Sequence, residues 1–235
     1  MGVRKYKQAY QKWTWERRRN DYGAYILSRI QLQCEGECTP YAIAYALEAH
    51  MRLCGFTDIV ISRDELMQFA IESKKGVART KAWRVLKVIQ EKGVLQEEAY
   101  KFLVVGHDLK SPRHRIKDLF FYDVKNCDHL RQALEALTCE GPLVGVIKIS
   151  QNYNECWRSK HVYRFDPSKE IIDDKTKKGI THCVCIVAFA LKSVDGNRVP
   201  CFVSQDSQGP GFGAGGYVHI DITSVVELYS FKMLD

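Results

Sequence analysis

The chain has 235 residues, 46% of them hydrophobic and 27% charged, with a net charge of +7. That composition can bury a core in one or two globular domains and excludes a disordered chain. No run of about twenty apolar residues occurs, so a membrane span is not expected.

In chain order, the first twenty residues hold seven basic side chains against Glu16 alone, interleaved with Tyr6, Tyr10, Trp13 and Trp15. Phosphate contact and base stacking would suit such an arm. The preferred reading is that the aromatics rest on the body and the charges face solvent, because the rest of the chain is close to neutral, so no nucleic acid partner is expected. The stretch Gln31 to Ala49 then sets a thiol, Cys38, before an apolar run from Tyr41 to Leu47. Pro40 suits a first helical turn, and a helix from about Pro40 to Leu53, apolar on all sides, should be buried. A cysteine at that N-terminus faces free backbone N–H groups and the positive end of the helix dipole, which favour the thiolate.

Ser62 and Glu65 read as a capping box for a second helix, and Thr80 caps a third that turns Ala82, Leu86 and Ile89 inward and ends at Gly93. Lys101 to Tyr122 carries no clear pattern. A fourth helix near Asp128 to Cys139 repeats Leu130, Leu134 and Leu137 at helical spacing. Beyond it the language changes to strands and turns: Pro142 to Ile149, His182 to Leu191, Val199 to Ser204, Gly216 to Ile222 and Val225 to Phe231. Helices first and strands second imply an α+β protein with segregated lobes, a build that leaves a cleft at the lobe interface where ligand sites usually lie.

These residues resemble a papain-like cysteine peptidase. From Cys38, Cys-Thr-Pro-Tyr-Ala-Ile-Ala-Tyr-Ala-Leu-Glu-Ala runs without a gap beside that family's nucleophile helix, and QDSQGPGFGAGGYVHI is similar to its Asn-Ser-Trp-Gly-x-Gly-Trp segment, with Asp206 at the asparagine and Gln208 and Phe212 at the tryptophans. ISRDELMQFA and GVLQEEAY also resemble family segments, so the likeness spans about Gly23 to Ile222. It implies a papain-like two-lobe fold, with a helical N-terminal lobe (about 31–110), an antiparallel, β-barrel-like C-terminal lobe (about 111–235) and the active-site cleft between; residues 1–22 would be an arm and 23–235 the peptidase domain. It also implies Cys38 as nucleophile, His182 as base, Asp206 as the residue that orients it, and peptide or protein substrates cleaved by a monomer.

Four positions depart from the family. Asp206 replaces the asparagine and adds a negative charge. Gln208 replaces the ring that shields the orienting hydrogen bond. Thr39 stands where a tryptophan follows the nucleophile, and Ser73-Lys74-Lys75-Gly76 where a Cys-x-Gly-Gly pairs with substrate. For the side-chain oxyanion donor, Gln31 is expected, one residue too far from Cys38, with Gln33, one residue too close, as the alternative. The family's bridge through Cys34 lacks its partner. An odd nine cysteines and no Asn-x-Ser/Thr acceptor agree with a reducing compartment. A cytoplasmic protein is expected, or a lysosomal, vacuolar or extracellular one if the chain is an incomplete precursor. Weakened activity is expected, and the rival reading is an inactive peptide- or protein-binding module on the same fold.

No cofactor or metal is expected. GFGAGG at Gly211 to Gly216 fits a dinucleotide fingerprint but runs into a strand-like YVHIDI. His182, Cys183 and Cys185 would point to alternate faces of a strand, which does not suit zinc.

Overall fold

The computed structural model describes residues 13–34, 36–73, 80–106, 111–157 and 161–234. Most of the basic arm, and Lys74 to Gly76 of the expected substrate wall, therefore lie outside the described residues. Where the arm joins the body, the strand β1 (Trp13–Thr14) pairs with Ala188 and Phe189, and Trp15 is buried with its indole N–H donating to Leu137 O at 2.7 Å.

The helix α1 (Cys38–Leu53) starts two residues earlier than the sequence pattern suggests, so Cys38 is itself its first residue. Its apolar run is buried as expected, with Ile43, Tyr45 and Leu47 fully inside. Burial of each such side chain contributes about 1.5–3 kcal/mol. Glu48 on the same helix is also buried; it accepts from Ile61 N–H at 3.0 Å and the Ser28 hydroxyl, and faces Arg63 at 3.5 Å. These bonds, with that from Gln31 N–H to the Tyr45 hydroxyl at 2.8 Å, hold the chain leading to Cys38 against the helix.

α2 (Arg63–Glu72) is capped by Ser62, which accepts from Glu65 N–H at 3.2 Å. The expected box is only half formed, because the Glu65 carboxylate turns away to Leu95 N–H at 2.7 Å and to Arg113. α3 (Lys81–Lys92) ends as expected at Gly93, whose φ of +73° and contact with Arg113 exclude a side chain. α4 (Glu97–Val104) and β2 (Ile116–Tyr122) occupy the stretch that carried no clear pattern. α5 (Cys127–Cys139) is capped by Asn126 and turns Ala133, Ala136 and Leu137 inward.

The remaining strands are β3 (Leu143–Lys148), β4 (Val162–Tyr163), β5 (Thr181–Val194), β6 (Asn197–Gln205), β7 (Tyr217–Asp221) and β8 (Val225–Met233). They form one sheet in the order β2-β8-β3-β5-β6-β7-β4, antiparallel except for the short β4–β7 pairing, with β1 added on β5. The sheet is open: the barrel-like lobe is a path with two ends, not a closed ring. The two-residue period of strands divides its side chains between two layers. Val144, Val146, Cys183 and Cys185 join the core under α1, while Leu143, Ile147, Val184 and Ile186 join a second core with α5 and Phe202. No described helix is long and apolar enough to cross a membrane.

Candidate active site

The candidate nucleophile and base lie where α1 begins and where β5 begins. Cys38 sits half-buried at the head of α1, whose early N–H groups have no partner within the helix. Pro40 costs nothing in that first turn, and Tyr41 N–H makes the first bond back, to Glu37 O at 3.3 Å. His182, the second residue of β5, pairs in register with Ile147 and lies on the opposite face from Cys183. Its Nε2 is 3.2 Å from both carboxylate oxygens of Asp206, so Nδ1 is the ring nitrogen left for the hydrogen bond to Cys38.

Asp206 follows the last residue of β6, and its N–H bonds Gly216 O at 2.9 Å. The glycine-rich loop after it folds back on itself: Gly213 has φ +61°, and a Cβ there would lie 2.3 Å from Tyr217 O. Gly213 N–H reaches Cys156 O at 3.0 Å, tying this loop to the 3-10 turn Gln151–Cys156. Tyr217–Asp221 is a strand, as the sequence reading of that loop requires.

Burial opposes charge on all three groups, yet each is held charged. The Cys38 thiol is costly to ionise because it is buried, but the hydrogen bond and charge of His182, the Cys183 backbone N–H and Lys81 bring it down to about 7. Burial disfavours the His182 imidazolium, and Asp206 and Cys38 overcome this and raise it to about 10. Burial likewise opposes the Asp206 carboxylate, which His182, Tyr153 and Gln208 N–H hold below its ordinary range. A thiolate beside an imidazolium is the species stable between about 7 and about 10.

A cleft of about 210 Å³ opens beside this pair, walled by Thr80, Lys81 and Ala82 at the head of α3 and by Val146 on β3. Larger hollows exist elsewhere. One of about 340 Å³ is lined by Met51, Phe56, His114 and Met233, but its histidine is engaged by Gln96 at 3.1 Å. Chemistry, not size, selects the site.

Gln31 and Gln33 separate in the structure. Gln31 is exposed and joined to the body through its backbone. Gln33 reaches the Asp206 loop: its N–H donates to Ser207 O at 2.7 Å, and its side-chain oxygen accepts from the Ser207 hydroxyl. Gln208 is half-buried, with its N–H on Asp206 at 3.0 Å, and Phe212 is fully buried. Thr39 is buried behind the nucleophile.

Two neighbours of the pair escaped the sequence reading. Tyr153 donates its hydroxyl to Asp206 and sets its ring, tilted by 59°, 5.6 Å from that of His182. Its segment, QNYNEC, is polar and has no period, so no local signal marks it. Lys81 reaches Gly36 O at 3.2 Å on the cleft wall; its place at the start of a legible helix was a signal that could have been used.

Sequence comparison matches residues 14–229 to the family described as Papain family cysteine protease. No curated protein matches the sequence. Among solved structures, one from a study of antibody cross-reactivity between the mite allergens Blo t 1 and Der p 1 is 17% identical with a TM-score of 0.65, covering 94% of this chain and 70% of that one. The digestive procathepsin L2 proteinase from the larval midgut of Tenebrio molitor is 16% identical with a TM-score of 0.63, covering 94% and 67%. At these identities the likeness to both is one of fold.

Proposed function

The chain belongs to the papain family of cysteine proteases, and from that premise we propose that it hydrolyses peptide bonds with Cys38 as nucleophile, His182 as acid and base, and Asp206 orienting His182. The observation that carries this reading is the row of three side chains in which Cys38 and His182 stabilise each other's charge and His182 Nε2 lies 3.2 Å from both oxygens of Asp206. The Cys38 thiolate attacks the peptide carbonyl carbon, and the carbonyl oxygen takes the negative charge. The imidazolium gives its Nδ1 proton to the departing amine, leaving a thioester on Cys38. Water then attacks the thioester, passing a proton to His182, and the acid product leaves as the sulfur departs, restoring the Cys38 thiolate beside the His182 imidazolium.

The developing oxyanion takes the backbone N–H of Cys38 and one side-chain amide. We assign that amide to Gln33 instead of Gln31, because Gln33 is tied to the Asp206 loop through both its N–H and its side-chain oxygen, whereas Gln31 is exposed. Turnover is expected to be weak, since Gln208 cannot shield as an aromatic ring does and Thr39 replaces a tryptophan. None of the nine cysteines is disulfide-bonded, which suits a reducing compartment such as the cytoplasm.

Cleavage needs thiolate and imidazolium together, so it should rise as pH passes about 7 and fall as it passes about 10. Wild type and Cys38→Ala, incubated with a mixed peptide library across that range, test this. Products from wild type alone are expected. Wild type that yields nothing above the Cys38→Ala background would replace peptidase action with peptide binding in the same cleft.

A further inference from the structure

Asp206 is wholly buried, and a carboxylate there survives only with donors on both oxygens. Oδ1 takes Gln208 N–H at 3.0 Å, and Oδ2 takes the Tyr153 hydroxyl. The Tyr153 ring, 2% exposed, lies 5.6 Å from the His182 ring and 5.2 Å from that of Phe212. Phe212 in turn meets Trp157 edge-on at 5.5 Å. The Tyr153 ring thus lies on one side of the His182–Asp206 hydrogen bond, backed by Phe212 and, beyond it, Trp157, while Gln208 on the Asp206 loop is half-buried and polar.

We propose that Tyr153 is a positioning residue of this site: its hydroxyl draws charge from Asp206, and its ring keeps water from the bond between Asp206 and His182. A bare buried carboxylate would hold the imidazolium so firmly that His182 would part slowly with the proton the leaving amine needs. A donor on Oδ2 weakens that hold while leaving the geometry in place. The phenol keeps its proton throughout, because burial and the neighbouring carboxylate push its ionisation well above the ordinary range.

The other ionisable groups facing the site are Cys38 and Lys81 on the cleft side, Cys183 beside Cys38, and Cys156 and Tyr163 next to Tyr153. Burial and Asp206 hold the Cys156 thiol up at about 11, so it stays neutral over the range that matters. Tyr163 is likewise raised, mainly by burial.

The proposal rests on the reading of Cys38 and His182 as an ion pair, and its test reads that pair without requiring turnover. Alkylation of Cys38 by iodoacetamide, followed by mass spectrometry of its peptide in the full chain, should rise in two steps. The first comes near 7, where the thiolate forms, and the second near 10, where His182 loses its proton and frees the thiolate. Tyr153→Phe keeps the ring and removes the donor, so the second step should move up by about one pH unit, while the first, in which His182 is already protonated, should move little. In an Asp206→Asn background, Tyr153→Phe should move neither step, because the charge it tempers is gone. A Tyr153→Phe profile that overlays wild type overturns the proposal, and so does an equal shift in both backgrounds, which would mean a merely structural role. If Tyr153→Phe folds poorly, 3-fluorotyrosine placed at position 153, a stronger donor of the same shape, should move the second step down, and an unmoved step is equally fatal. A wild type showing no two-step profile removes the ion-pair reading and this proposal together, whereas a normal wild-type profile indifferent to Tyr153 removes this proposal alone.

Discussion

Cys38 at the head of α1 and Cys183 on β5 are neighbours, joined by a hydrogen bond from the Cys183 backbone to the Cys38 sulfur, and their thiols are driven in opposite directions. Cys183, almost fully buried and facing the negative charge of Cys38, is pushed well above the ordinary range. Cys185, one strand period on, rises through burial and the charge of Glu48. Lys81 acts on both Cys38 and Cys183, but Cys38 alone of the three meets His182 through a hydrogen bond, and it falls to about 7. Burial by itself makes a thiol inert; it takes a cationic partner and a donor to the sulfur to make one reactive.

The sharpest way to break this contrast is to remove the partner. In His182→Ala the early step of Cys38 alkylation near 7 should vanish, leaving Cys38 as slow as an ordinary thiol, and peptide cleavage should drop by about four orders of magnitude or more, as in Cys38→Ala. Labelling by site-resolved mass spectrometry checks the first and product formation the second. If Cys127 or Cys139, both exposed, labels faster than Cys38 in wild type, position on the helix confers no special reactivity.

The next effect separates two glutamines that sequence spacing could not. Gln33→Ala should lower kcat about a hundred- to a thousand-fold, the usual cost of one oxyanion donor, while Gln31→Ala, an exposed side chain, should change it by less than about three-fold. Steady-state kinetics on one cleavable peptide decides between them.

The same contrast explains what was legible in the sequence. Cys38 stood out because a helix start is written in the residues around it, whereas the roles of His182 and Asp206 were read from the likeness of their segments to the papain-like family. Glutamine spacing ran off by one residue at either choice, since the register between Gln33 and Ser207 is set by a contact 174 residues apart in sequence. Tyr153 reaches Asp206 across 53 residues from a polar turn, and nothing local announces it. β2 was missed for a different reason: only its end residues, Ile116 and Tyr122, are buried, so no alternation shows. The capping box at Ser62 failed in its second half because Glu65 found a buried backbone N–H and Arg113 instead. An open sheet was likewise not foreseeable, because alternation tells which face of a strand is buried and not whether the last strand meets the first.

A smaller effect tests the inert side of the comparison. Cys185→Ser puts a hydroxyl into an apolar layer beneath α1, and its desolvation should cost about 1–3 kcal/mol, read as a lower urea midpoint with unchanged slope. Cys38→Ser, at a half-buried site with N–H groups to bond, should cost clearly less. Equal losses would mean that the surroundings of the two sulfurs differ less than their ionisation implies.

The smallest expected effect is none at all. No two of the nine cysteines are joined, and Cys34, Cys54, Cys127 and Cys139 are exposed, while Cys156, Cys183, Cys185 and Cys201 are buried. A structural bridge would raise stability mainly by restricting the unfolded chain, typically by 2–4 kcal/mol, and its reduction would lower Tm by several degrees in a chain of this length. Melting curves with and without reductant should therefore coincide within about 1 °C if both are recorded before slow air oxidation of the exposed thiols. A clear fall in Tm on reduction would reveal a bridge. Because the four buried thiols lie within packed layers, the pair would have to be sought first among the exposed cysteines. Cys34, four residues before the nucleophile, is the one whose bridging would also disturb Cys38, so a reductant effect on Tm accompanied by a change in Cys38 alkylation would place the bridge there.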